Sequence, residues 1–129
     1  MVTKILHHIR SLEGYVECSG ARLVRAALPE SVHGRMCGEL ITLRAGLTPE
    51  QELPILVHEL AHWLAHRDSR PAVNCTVFEY EAEAVEALVM ARLGLTHPGS
   101  DTAEALLAAS VARVHFASDR ICGALGLKT

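Results

Sequence analysis

Hydrophobic residues in the first segment of the chain recur at the spacing of an amphipathic helix. They follow Thr3, a residue suited to capping, and comprise Ile5, Leu6, Ile9 and Leu12. The pattern predicts a first helix that ends near Gly14. Residues 15–29 leave two alternatives open, a short strand at 23–26 or a second helix.

A strand is predicted over residues 38–45. Ile41, Thr42 and Leu43 favour strand, and two sets of side chains alternate along the segment. If residues 39–44 form an exposed sheet edge, they can pair with an extended peptide. The segment is therefore also a candidate substrate-binding edge.

A long helix is predicted from Pro49 to His66. Thr48 and Gln51 form a capping box around a proline at the first helical position. An apolar stripe follows at helical spacing, made of Leu53, Leu56, Val57, Leu60, Ala61 and Leu64. Because Pro54 lacks a backbone donor, a second interpretation has the helix begin at Pro54, with a separate turn before it.

Two more helices are predicted in the second half of the chain. Thr76 and Glu79 form a capping box for a helix over about 77–93, which Gly94 ends. A last helix is expected over about 102–124, with a buried side that comprises Leu106, Leu107, Val111 and Val114. The predicted fold class is α+β, with a small sheet packed on a helical bundle.

Composition and charge restrict the class of protein. A chain of 129 residues, half of them hydrophobic, predicts a single packed domain over 1–129. A net charge of −3 without a Lys/Arg run gives no indication of direct nucleic-acid binding. No membrane span or secretory signal is predicted, so we expect a cytoplasmic protein. Its four cysteines include no C-x-x-C pair, so free thiols are expected for Cys18, Cys37, Cys75 and Cys122.

The predicted long helix contains the sequence His58-Glu59-Leu60-Ala61-His62. Residues four apart on a helix share one face, so both imidazoles can reach one zinc ion. Glu59 is displaced by one residue and is placed to act on a water molecule as the catalytic general base. The alternative is two histidines on an ordinary amphipathic helix, with no metal.

A catalytic zinc site needs a third protein ligand. Asp68 has the spacing of one known pattern, but Ala65 stands where that pattern needs glycine. His66 lies one turn further along the helix, where an interaction with the helix end is expected instead. These two residues are therefore weaker candidates than the acidic segment that follows.

Glu79, Glu83 and Glu86 share one face of the next predicted helix. This arrangement predicts Glu79 as the metal ligand and Glu83 as the carboxylate that accepts a hydrogen bond from a ligating imidazole. Glu81 is the rival ligand, although the helical wheel places it on the opposite side, near Arg92. A solvated acidic face is the alternative without function.

Residues 38–93 resemble the ImmA/IrrE-type zinc metallopeptidases. The resemblance rests on the predicted strand, on His58-Glu59-Leu60-Ala61-His62, and on Glu79-Tyr80-Glu81-Ala82-Glu83-Ala84-Val85. The last segment is also similar to plasmid and phage proteins, including the antirestriction ArdC-like group. The chain departs from the family in having Glu83 where an asparagine is usual, and Leu88-Val89-Met90-Ala91 where Leu-Leu-Met-Pro is usual.

The resemblance implies a minimal zincin-like domain that hydrolyses a protein or peptide substrate, such as a regulatory protein, with Zn²⁺ as cofactor. Candidate oxyanion donors are Tyr80, His33 and His66. A different class of function is a zinc-containing binding or adaptor domain of a mobile element, without peptidase turnover. The intact Glu59 favours the enzyme. The oligomeric state is left open.

Overall fold

The computed structural model describes residues 2–66, 75–95 and 111–127. The described residues form an α+β fold, as predicted. Its elements are α1 (Val2–Cys18), β1 (Arg22–Ala26), β2 (Gly34–Cys37), β3 (Leu40–Arg44), α2 (Pro49–His66), α3 (Cys75–Arg92) and α4 (Val111–Ala124). Within these ranges, no helix has both the length and the apolar character needed to cross a lipid bilayer.

The predicted end of the first helix at Gly14 is wrong, because α1 continues to Cys18. Val16 extends the buried face of the helix beyond the glycine and is fully buried. Gly20, two residues after the end of the helix, has a φ of 95°. There the amides of Gly20 and Ala21 donate to the carbonyls of Glu17 and Val16, the pattern of a Schellman cap.

The sheet has the order β1-β3-β2, with β1 parallel and β2 antiparallel to β3. Of the two alternatives for residues 15–29, the strand is therefore present, as β1. The strand predicted over 38–45 is confirmed as β3, which covers Leu40–Arg44. However, β3 is the central strand, so the interpretation of residues 39–44 as a free edge is wrong. The edge strands among the described residues are β1 and β2.

Strand β2 lies directly against α2. Its first residue, Gly34, has no side chain, and an added Cβ would lie 2.6 Å from Cγ2 of Ile55 and 3.4 Å from Cγ of Glu59. Glycine therefore permits the close approach that brings this sheet edge beside Glu59. Because only four residues form β2, no alternation of polar and apolar side chains predicted it.

Helix α2 forms the centre of the fold and begins at Pro49, as predicted. The Thr48 amide donates to Oε1 of Gln51 at 3.0 Å, and the Gln51 amide donates to Oγ1 of Thr48 at 3.3 Å. The helix continues through Pro54, so the alternative start at that residue is wrong. Its fully buried residues contact the other helices and the sheet, and they include Leu53, Leu56, Val57, Leu60 and Ala61.

Helices α3 and α4 complete the core against α2. Helix α3 ends before Gly94, which has a φ of 74°, so the predicted helix end is confirmed. The last predicted helix is present as α4, and Val114 is buried in it. The predicted helical residues 102–110 lie outside the described residues, and so does the side chain of Thr76.

Candidate metal centre

The last turns of α2 and the first turns of α3 bring two histidines and a glutamate together. Nε2 of His62 lies 2.8 Å from Oε1 of Glu79, and Nε2 of His58 lies 3.2 Å from Oε2 of the same carboxylate. One ligand atom from each residue can be chosen so that all lie within 4.8 Å of one another. The cluster of His58, His62 and Glu79 could therefore hold a metal ion.

The other nitrogen of each imidazole faces a partner of its own. Nδ1 of His58 lies 2.9 Å from Oε1 of Glu86, and Nδ1 of His62 lies 3.0 Å from Nδ1 of His66. These contacts turn both Nε2 atoms towards Glu79. Two imidazole nitrogens and one carboxylate suit a divalent transition metal, so the residues fit such an ion.

The charges in the metal-free cluster are strongly coupled. Hydrogen bonds from His58 and His62 hold the pKa of Glu79 well below its usual range. Burial acts to lower the pKa of His58, but hydrogen bonds with Glu79 and Glu86 outweigh it and raise the pKa to about 10. A proton on His58 therefore supplies the positive charge between two carboxylates, in the place where a metal cation would supply it.

Glu59 lines the same cleft and is buried, with 8% of its surface exposed. Burial raises the pKa of its carboxyl, while the neighbouring imidazoles of His58 and His62 act in the opposite direction. A raised pKa makes the carboxylate a stronger base near neutral pH. The residue is thus suited to accept a proton from a group bound in the cleft.

The structure corrects the prediction for the carboxylate behind the ligands. Glu86, and not Glu83, contacts the imidazole of His58. The contacts between the helices run in antiparallel order, so that His62 faces Glu79 at the start of α3 and His58 faces Glu86 two turns later. Glu83 lines the cleft between these positions. This pairing depends on the register of the two helices, which the helical wheel of α3 alone does not contain.

Glu81, the rival ligand, lies outside the cluster of His58, His62 and Glu79. Its side chain is 1% exposed and accepts hydrogen bonds from Nε and Nη2 of Arg113, at 2.7 and 2.8 Å. Oε1 of Glu81 also lies 2.8 Å from Nε2 of His66. The sequence contained one signal for this contact, because an acidic residue such as Glu81 among apolar neighbours needs a cation beside it. It did not identify that cation as Arg113.

His66 differs from the expectation that it would interact with the end of its own helix. It is buried, contacts His62 and Glu81, and stacks on the ring of Phe78 with centroids 4.0 Å apart. Burial lowers the pKa of its imidazole, although Glu81 opposes this. Asp68, the other alternative ligand, lies outside the described residues.

The cluster opens into a cleft of about 1180 Å³ between β2, α2 and α3. Two of the three candidate oxyanion donors, His33 and His66, line it, whereas Tyr80 does not. The wall that faces the helices is the edge strand β2, through Gly34, Arg35 and Met36. The cleft therefore combines the candidate metal centre, a buried carboxylate and a sheet edge.

Comparisons of the chain with protein-family models, with curated proteins and with solved structures gave no match.

Proposed function

We propose that this protein is a zinc-dependent metalloendopeptidase with a minimal zincin-like fold, related to the ImmA/IrrE-type peptidases that the sequence resembles. The observation that carries the proposal is the convergence of His58, His62 and Glu79 in one cleft with the buried carboxylate of Glu59. Three protein ligands leave a position for water or substrate, as in catalytic zinc sites.

Each residue then has a distinct part in the reaction. A zinc ion, when bound, would supply Lewis-acid activation of water and of the scissile carbonyl. His58, His62 and Glu79 would hold that ion, and Nδ1–H of His58 donates a hydrogen bond to Oε1 of Glu86, which leaves Nε2 free to bind. Glu59 takes a proton from the attacking water and delivers it to the leaving amine.

The edge strand β2 supports a peptide as the substrate. It borders the cleft beside Glu59, and an extended chain can add to such an edge through backbone hydrogen bonds. This strand replaces residues 39–44 as the binding edge. A regulatory protein in the cytoplasm, as the family resemblance implies, is the substrate class that we propose.

The test compares Glu59→Gln with the unchanged protein. Both should bind zinc, but hydrolysis should fall by about 10²–10⁴-fold in the variant, because an amide cannot accept the proton. Cleavage of a mixture of unstructured peptides is followed by mass spectrometry, and zinc is measured in the same samples. Glu50→Gln is the control, because Glu50 is exposed in the first turn of the same helix.

Two results would contradict the peptidase proposal. Cleavage by Glu59→Gln at the rate of the unchanged protein would exclude Glu59 as the general base. Zinc binding without cleavage of any peptide or protein tested would favour the second class of function, an adaptor domain without turnover.

A further inference from the structure

The Nδ1 atoms of His58 and His62, the two histidines of the candidate metal centre, have different hydrogen-bond partners. Nδ1 of His58 meets the carboxylate of Glu86 directly at 2.9 Å. Nδ1 of His62 instead meets another imidazole, that of His66, at 3.0 Å. His66 in turn contacts Glu81, and Glu81 accepts a hydrogen bond from Arg113. We infer that His66, Glu81 and Arg113 form a positioning chain that fixes the ring of His62 for metal binding, an inference that rests on the proposed metal centre.

The chemistry of the groups fixes the direction of every hydrogen bond in this chain. When Nε2 of His62 binds a metal, its Nδ1 carries a proton and donates to Nδ1 of His66. His66 must then carry its own proton on Nε2, which donates to Oε1 of Glu81 at 2.8 Å. Glu81 also accepts from the guanidinium of Arg113. A metal ion at His62 and the permanent cation of Arg113 thus favour the same direction for every hydrogen bond between them.

Because His66 and Glu81 are buried, a lost hydrogen bond or a rotated ring is not compensated by solvent. The side chains of His66 and Glu81 are 6% and 1% exposed, so a missing partner is not readily replaced by water. Phe78 stacks on the imidazole of His66 and restricts its rotation. Rotation of the His62 ring by half a turn would place a carbon atom against Nδ1 of His66 and lose the hydrogen bond.

The chain also connects α4 with the metal centre. Helix α4 contributes none of the three candidate ligands. Its residue Arg113, however, forms an ion pair with Glu81, and Glu81 contacts His66. Because the acceptor behind His62 is a neutral ring, we expect the chain to act mainly on ring orientation. Glu86 adds a negative charge behind His58, which also strengthens that imidazole as a ligand.

The experiment measures metal binding and geometry in His66→Leu, His66→Gln and Arg113→Met. Zinc affinity is measured by competition with a chelator, and the visible spectrum of the Co²⁺-loaded protein reports the ligand geometry. We expect His66→Leu to lower the affinity by about ten- to a hundredfold and to change the spectrum. His66→Gln should recover most of both, because its amide can accept from His62 and donate to Glu81.

His33→Leu is the matched control, since His33 is an exposed histidine that lines the same cleft from β2. Arg113→Met tests the far end of the chain without touching His62, and we expect a smaller loss of affinity in the same direction. If His66→Leu does not fold, Arg113→Met replaces it as the deciding variant. Unchanged affinity in Arg113→Met would then overturn the inference.

The result also separates this inference from the proposed function. If the unchanged protein binds one zinc but His66→Leu binds it with equal affinity and an equal Co²⁺ spectrum, the positioning chain is wrong and the metal centre stands. A failure of His66→Gln to improve on His66→Leu would likewise overturn the positioning role. If the unchanged protein binds neither Zn²⁺ nor Co²⁺, both proposals fail.

Discussion

The two halves of helix α2 are associated with carboxylates in different ways. In the first half, Glu52 is 7% exposed and forms an ion pair with Arg25, whose Nη2 lies 2.6 Å from Oε1. In the second half, Glu79 and Glu86 are turned towards the imidazole of His58. Arg25 is always charged, whereas an imidazole is charged only when it holds a proton.

This difference separates a structural ion pair from a candidate site. Around Glu52 the positive charge belongs permanently to the fold, and Arg25 pairs with Glu13 as well. Around His58 the positive charge is a proton, which a metal ion can replace. A carboxylate therefore indicates function most strongly where its partner is an exchangeable cation. Glu81 has both kinds of partner, because it accepts from the guanidinium of Arg113 and lies 2.8 Å from Nε2 of His66.

The largest effect should follow from removing the ligand carboxylate. Glu79→Ala should weaken zinc binding by more than about a hundredfold, beyond the range typical of residues behind the ligands. Chelator competition measures the affinity. Glu83→Ala is the control, because Glu83 lies one turn away on α3 and lines the same cleft. Glu81→Ala should fall between them.

A reversed order would contradict this part of the account. If Glu81→Ala loses the metal and Glu79→Ala retains it, the ligand set is wrong. If Glu83→Ala weakens zinc as much as Glu79→Ala does, the loss reflects the acidity of the cleft and not coordination.

A smaller effect, on stability alone, is expected in the first half of α2. Glu52→Ala removes the partner of Arg25 and should lower the free energy of unfolding by about 1–3 kcal/mol. Zinc content should not change. Urea denaturation measures the loss, with Glu50→Ala, an exposed position in the same turn, as the control. Loss of zinc from Glu52→Ala would show that the two halves are not independent.

The smallest and most specific effect concerns pH in the metal-free protein. Because the pKa of His58 is raised from 6.5 to about 10 on folding, its stabilising contribution is complete below pH 6.5 and is lost as the pH rises through 10. Arg25 stays charged over this window, because its hydrogen bond with Glu52 raises the pKa of the guanidinium. Denaturation in chelator should show a steeper loss of stability for the unchanged protein than for His58→Gln. Equal slopes would mean that the proton is not held at His58.

Local signals in the sequence were sufficient for several elements. The capping box at Thr48 and Gln51 fixed the start of α2, and β-forming residues fixed β3. The structure brings together three residues that the sequence predicted as ligands. His58 and His62 were predicted from their helical spacing, and Glu79 from its position on the helical wheel. These features depend on periodicity and capping, which act within one turn or one strand.

Features that depend on packing between elements were not predicted correctly. Glu86 was missed in favour of Glu83, because the register between α2 and α3 decides which carboxylate meets His58. The edge strand β2 has too few residues for a pattern, and Gly14 did not end α1 because Val16 continues its buried face. Arg113 reaches Glu81 only through the packing of α4 on α3. Periodicity within a single element contains none of this information.

The metal content of the purified protein tests the central claim most directly. The unchanged protein and His58→Ala are exposed to zinc, freed of loosely bound metal and measured by elemental analysis. The account predicts close to one zinc per chain in the unchanged protein and almost none in the variant, because His58 supplies one of three ligands. No bound transition metal in the unchanged protein, or equal zinc in both, would contradict it.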